Sequence, residues 1–299
     1  MTRGRGKSSK NLLLVEKAAE ILDEIAPSTV RSVCYQLFIQ GVIDSMSKAN
    51  TNRVSSQLVW AREEGIIPWE HIVDEARRAE TIPAWANPKE IIDSAVRSYR
   101  KDYWAEQPEW IEVWSEKGTV RGTLAPVLDK YGITFRVMHG HGSATVLHDV
   151  AEMADDSDKY LTVLYVGDRD PSGMDMSERD LVSRLARYGD GASIEIVRVA
   201  IAECDTTAGV PSFSTHEKTK DPRYRWYLDN YGERCWELDA LSPVVLRDRV
   251  ESEIRDRLDL DAWNHSIGVE AAEIESMKTF FAGYPGISGR ASKCSETPS

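Results

Sequence analysis

The residues with the clearest capacity for chemistry lie in Tyr160–Met176, YLTVLYVGDRDPSGMDM. An apolar run, Leu161–Val166, stops at Gly167-Asp168-Arg169-Asp170-Pro171-Ser172-Gly173, and a helical pattern follows. Two carboxylates one residue apart thus sit at the carboxyl end of an expected buried strand, where open α/β sheets bind ligands. In extended backbone residues i and i+2 point the same way, so Asp168 and Asp170 can converge on one cation. The plainer reading is that Asp170 caps the next helix, with Pro171 at its first position. Glu116, in Ser115-Glu116-Lys117-Gly118, stands at the end of a second expected strand. Read alone it is equally a solvated loop acid. Gathered at one rim, three carboxylates need a counter-ion, and an oxygen-only donor set points to Mg²⁺, or Mn²⁺, rather than zinc. Mg²⁺ commonly engages phosphate, which outlines a phosphoryl-transfer site.

Other groups are weaker. Arg31 and Tyr35 are four apart on an expected helix, on a flank about 100° or more from its apolar centre. His139, His141 and His148 lack the cysteine partner that would favour zinc. Gly140-His141-Gly142-Ser143, between a strand and a helix, is either a phosphate cradle or a tight turn. Lys218, Lys220, Arg223 and Arg225, interleaved with Tyr224, Trp226 and Tyr227, could follow a DNA backbone or form a solvated face. Glu237 and Asp239 either serve the carboxylate rim or cap a helix over 243–258.

The elements that must position these groups follow from periodicity. Leu12, Val15, Ala18, Ala19, Leu22 and Ile25 form a helical stripe over 11–25. Pro27-Ser28 breaks it, and Ser28 is the expected cap of a second helix through Gly41, with Val30, Val33, Cys34, Leu37 and Phe38 as its apolar face. Tyr35 is therefore not expected in the core. A third helix, about 49–64, carries Arg53, Gln57 and Arg62. With the irregular stretch that follows, this suggests a winged helix-turn-helix whose third helix reads a DNA groove. A small helical domain that binds protein is the alternative. Residues 88–109 read as a connecting helix closed by Pro108. Beyond them strands are expected at Ile111–Trp114, Thr134–Met138, Leu161–Val166 and Ser193–Ala200, with helices at Thr119–Tyr131, Ala144–Ala154 and Asp175–Tyr188. Such alternation implies a parallel sheet with right-handed crossovers. The expected class is α/β plus α: a basic arm (1–10), a winged-helix domain (11–87), the connecting helix (88–109), a Rossmann-like parallel-sheet domain with an extension (110–285) and a Ser/Gly-rich disordered tail (286–299).

With 299 residues, 41% of them hydrophobic, the chain has room for about two domains of about 100–200 residues. No apolar stretch approaches the roughly 20 residues of a membrane span, and the basic start MTRGRGKSSK lacks a signal peptide's apolar core. Cys34, Cys204, Cys235 and Cys294 form no CxxC pair and read as reduced thiols of a cytoplasmic protein. The net charge of −12 is uneven: residues 1–105 hold 15 Lys and Arg against 14 Asp and Glu, the remainder 22 against 35. The acidity belongs to the half with the candidate metal site. Arg3, Arg5, Lys7 and Lys10 form an arm able to lie on phosphate, or simply a solubilising tail.

Taken together, these motifs resemble a known combination. Glu116 after one strand and Asp168-Arg169-Asp170-Pro171-Ser172-Gly173 after another are similar to the Toprim metal site of topoisomerases, primases and some nucleases. Arg31-Ser32-Val33-Cys34-Tyr35 resembles the catalytic-tyrosine signature of the family of the topoisomerase VI A subunit and the meiotic double-strand-break protein. The order, winged helix then Toprim, is also that family's, and the likeness spans roughly residues 28–255. Its short length is similar to the compact standalone mini-A type. Ser32 and Cys34 depart from the family, which often has Asp and an aromatic residue there. The resemblance implies that Tyr35 attacks a DNA phosphodiester and becomes linked to a 5′ end, and that Arg31 helps hold the phosphate or stabilises its charge. Asp168 and Asp170 would bind Mg²⁺, with Glu116 as a third ligand or proton-transfer group. It further implies a homodimer, a separate ATPase B-type subunit for any ATP-driven strand passage, and a nucleoid-associated location. Two other functions stay open: a Toprim nuclease that cleaves DNA with activated water, and a non-catalytic DNA-binding module.

Overall fold

The computed structural model describes residues 8–73, 82–138, 144–189 and 193–282. These form a mixed α/β structure with two compact units, one made of residues 1–76 and 108–258, the other of residues 77–107 and 259–299.

In the first unit α1 (Ser9–Ile25) buries Leu14, Val15, Ala18, Ile21, Leu22 and Ile25. The buried stripe is rotated from the expected one, and Leu12 is exposed. A two-residue strand β1 (Ser28–Thr29) leads into α2 (Val30–Ile39). The cap of α2 is Thr29, not Ser28: the helix starts at Val30, and the Ser32 N–H donates to Thr29 Oγ1 at 3.0 Å. Next comes α3 (Lys48–Glu63), capped by Ser47. Leu22, Val33, Leu37, Val54 and Leu58 of the three helices share one core. The β2 strand (Ile72–Val73) then returns to pair in parallel with β1. The following helix, α4 (Pro88–Ser98), belongs to the second unit.

The sheet contains β3 (Glu109–Ser115), β4 (Thr134–Val137), β5 (Tyr160–Val166) and β6 (Ile194–Ala200). All pairings are parallel, in the order β4-β3-β5-β6. The intervening helices are α5 (Val120–Tyr131), α6 (Ala144–Asp155), and α7 (Pro171–Asp175), which continues through a π turn at Met176–Asp180 into α8 (Leu181–Tyr188). Six residues of β5 are buried, as its unbroken apolar run requires of an inner strand covered on both faces. After β6 come α9 (Glu203–Thr207), β7 (Phe213–Ser214), α10 (Tyr224–Tyr231), β8 (Arg234–Cys235), antiparallel to β7, and α11 (Pro243–Arg257).

The second unit contains α4 and α12 (Leu260–Ala282). The expected helix over 88–109 ends at Ser98, where Tyr99 is extended; Pro108 instead precedes β3. Within this unit Tyr99 Oη donates to Glu273 at 2.5 Å, and the Tyr103 and Trp263 rings meet edge to face at 4.7 Å. Among the described residues no helix is long and apolar enough to cross a membrane. His139, the turn at 140–143, the expected tail and most of the basic arm lie outside the described residues.

Candidate functional site

The carboxyl end of β5 carries the aspartate motif. Asp170 is the cap of α7: its Oδ1 accepts the N–H groups of Ser172 at 3.0 Å and Gly173 at 2.8 Å, and Pro171 opens the helix. Its other oxygen faces Lys218 Nζ at 3.0 Å. The cap and the outward oxygen are thus separate uses of one side chain. Gly173 is needed for close approach, since a Cβ there would stand 2.1 Å from the Asp168 carbonyl oxygen. Asp168 Oδ1 receives Lys117 Nζ at 2.8 Å and the Leu238 N–H at 2.7 Å. Burial raises the Asp168 pKa, opposed chiefly by Lys117. Glu116 is raised first by burial, then by the negative charges of Asp168 and Asp170. Glu116 therefore lies in the field of the two aspartates. Glu116 makes no hydrogen bond to another described side chain or backbone group.

Arg198 of β6, missed in the sequence reading, staples this loop from beneath. Its guanidinium donates to the carbonyls of Gly167 (3.2 Å), Asp168 (3.2 Å) and Gly173 (2.6 Å) and to Ser177 Oγ (2.9 Å). The available signal was an arginine inside the strand run Ile-Glu-Ile-Val-Arg-Val-Ala, where a charge needs a dedicated set of acceptors.

A second cluster meets the first through Trp236–Asp239. Trp236 and Arg169 exchange backbone hydrogen bonds, each at 2.9 Å, which fixes the segment beside the aspartate loop. Glu237 Oε2 then accepts Arg31 Nε at 2.6 Å, Arg31 Nη2, and the Tyr35 hydroxyl at 3.0 Å. Asp239 accepts Thr29 Oγ1 at 2.8 Å and Lys117 Nζ at 3.1 Å. Neither acid caps α11, whose cap position is Ser242. Tyr35 is 7% exposed, which corrects the expectation of a flank outside the core: the 236–239 segment covers that flank. Its phenol is pushed well above the ordinary tyrosine value, by burial first and then by Glu237, with Arg31 opposing. Burial works to lower the Lys117 pKa, but Asp168 and Asp239 outweigh it and keep this lysine charged.

The donor chemistry of Glu116, Asp168 and Asp170 fits a hard divalent cation: oxygen only, three like charges in one field, and an oxygen of Asp170 outside its capping bonds. The arrangement is not a closed cage. Among the described residues no group of three or more His, Cys, Asp or Glu side chains stands ready to hold a metal. Lysine ammonium groups are the counter-ions here, and Lys218 would have to leave Asp170 for a metal to take its place.

The remaining candidates scatter. Arg53 of α3 donates to Asn11 Oδ1 at 3.0 Å, and Gln57 is half-buried. Arg62 is buried, its guanidinium 4.7 Å from the centre of the Trp69 ring, so it is not on an open helix face. Lys220 and Arg225 are exposed, whereas Arg223 pairs with Asp221 and Tyr227 is buried. Trp226 packs against Arg179, so the aromatic residues of this stretch do not form one open platform. His148 is exposed near Asp149 and Glu152. Comparison with known protein families gives no matching family, and comparison with curated proteins gives no match either.

Proposed function

We propose that this chain cleaves DNA by transesterification through Tyr35, as the topoisomerase VI A-subunit family does, with residues 11–73 acting as the winged-helix part and the β3–β6 sheet as the Toprim part. The observation that supports this best is the coupling of Tyr35 and Arg31 to the Asp168 loop through Glu237-Leu238-Asp239, three consecutive residues. Two groups brought together from positions over 130 residues apart are the pair that such a reaction needs. A tyrosine hydroxyl, with a reference pKa near 10, needs a base or cation beside it to attack. In the proposed reaction the Tyr35 oxygen bonds to phosphorus, the bond from phosphorus to the 3′ oxygen breaks, and Arg31 lies one helical turn away to hold the phosphate. Glu116, Asp168 and Asp170 would hold Mg²⁺, which when bound supplies positive charge to the phosphate oxygens. Lys218 and Lys220 are the proposed backbone contacts, together with Arg53 and Gln57 of α3. Homodimerisation and a separate ATPase subunit belong to the same reading.

The test is supercoiled, gapped, flapped and linear DNA incubated with Mg²⁺ or Mn²⁺, stopped with detergent and run with and without protease. The expected product from the wild type carries protein on its 5′ end and shifts on proteolysis; Tyr35→Phe gives none. A second reading is favoured by the burial of Tyr35 and its bond to Glu237: cleavage by water at the carboxylate rim, with α2 only binding. Then Tyr35→Phe cleaves normally and Asp168→Asn does not.

A further inference from the structure

We propose that Glu237 is the proton acceptor for Tyr35, held in check by Arg31 until a DNA phosphate draws that arginine away. This rests on the transesterification reading above. Tyr35 Oη donates to Glu237 Oε2 at 3.0 Å, within the reach and in the direction that general-base transfer requires. The same oxygen takes both Arg31 donors, and a carboxylate saturated by a guanidinium is a poor base. Arg31 is about half exposed, whereas Glu237 is mostly covered. Of the two, the arginine is the one an entering phosphate reaches. Exchange of Arg31 from carboxylate to phosphate would recruit the substrate and restore the basicity of Glu237 in one movement.

The step balances without any further reagent. The Tyr35 O–H proton passes to Glu237, the phenol oxygen bonds to phosphorus, and the phosphorus–3′ oxygen bond breaks. The 3′ oxygen leaves with the bonding pair and takes a proton from solvent. Religation runs the same transfers backwards. Among the described residues no other carboxylate is hydrogen-bonded to the Tyr35 hydroxyl: Asp239, two residues on from Glu237, is engaged by Thr29 and Lys117 and lies 4.0 Å from Arg31 Nε.

The experiment uses the full chain, supercoiled plasmid DNA and Mg²⁺, and follows the initial rate of protein–DNA adduct formation against DNA concentration. Glu237→Gln keeps the shape and can accept the Tyr35 hydrogen bond but cannot take its proton. Its maximal rate is expected to fall roughly 100-fold or more, the usual scale of general-base catalysis, while the half-saturating DNA concentration stays within about twofold. Glu237→Asp, which retains a carboxylate, should recover at least about tenfold over Gln. The proposal is overturned by a Gln variant within about threefold of wild type, by an Asp variant no faster than Gln, or by a loss that follows weakened DNA binding or a lowered melting temperature. Absence of adduct from the wild type is a different result: it removes the transesterification reading, and this inference with it.

Discussion

Tyr35 is held by one hydrogen bond, to a carboxylate, and by a packed ring, so removing its hydroxyl has a bounded cost. Tyr35→Phe should lose about 1.5–3 kcal/mol of stability, the usual value of a hydrogen bond to a charged group, and all covalent adduct. Equilibrium denaturation beside the adduct assay separates the two effects. Asp168 is different, because Lys117 depends on it. Asp168→Asn leaves a half-buried ammonium facing Asp239 alone, and truncating one partner of a buried pair is expensive. That variant should melt lower than wild type, and any stabilisation by added Mg²⁺ should vanish. A melting temperature of Asp168→Asn that still rises with Mg²⁺ as in wild type would remove Asp168 from the proposed metal site.

At the scale of elements, the loop between β5 and α7 depends on a glycine. Gly173→Ala pushes a methyl group into the Asp168 carbonyl, and such overpacking costs about 1–3 kcal/mol. The aspartate pair would move with it. Loss of cleavage with retention of circular-dichroism signal is the expected outcome. Elsewhere α5 and α11 are tied by Glu251, which accepts from Lys130 Nζ at 2.6 Å and Tyr131 Oη at 2.8 Å. These bonds hold its pKa below the ordinary value of 4.5. A depressed carboxylate stabilises the fold above its unfolded pKa, and this contribution is lost as pH falls through the folded value. Glu251→Gln should therefore cost about 0.2–1 kcal/mol, the range for an exposed pair, at neutral pH, and less in acid. Urea titrations at pH 7 and pH 3 check the sign.

The parallel strands and their helices were legible in the sequence because their apolar runs are long and punctuated: β5 is buried almost along its length, and Pro171 and Asp170 mark the helix start. The rim acids could be named for the same reason, each standing where a run stops. What could not be read is pairing across distance. Nothing local says that Glu237 meets Arg31 and Tyr35 rather than capping α11, or that Lys117 lies between Asp168 and Asp239. The flank of α2 looked open because the segment covering it lies some 200 residues further along the chain. Arg62 misled similarly: its spacing suits a groove-reading face, but Trp69 folds back over it. In the second unit α12 escaped notice, having only Trp263 and Ser266 buried and thus no strong apolar stripe.

For the whole molecule, the net charge of −12 is consistent with DNA cleavage only if cations are focused where phosphate must lie. Lys117 and Lys218 are paired with Asp168 and Asp170 at the rim, and Arg31 with Glu237 in the adjoining cluster. In the proposed reading such a site would bind phosphate by exchanging partners, so DNA affinity should fall steeply with salt. A dimer should sediment at about twice the 33.6 kDa of the chain; a monomer on active DNA complexes would argue against paired nicks. The most direct measurement identifies the linked atom. Wild-type protein is trapped on plasmid DNA with Mg²⁺, digested with nuclease and then trypsin, and the peptides are weighed and fragmented. A nucleotide phosphate on Tyr35, in the peptide that follows Arg31, is the expected result. Cleaved DNA with protein-free 5′ ends, or a phosphate on any other residue, would contradict it.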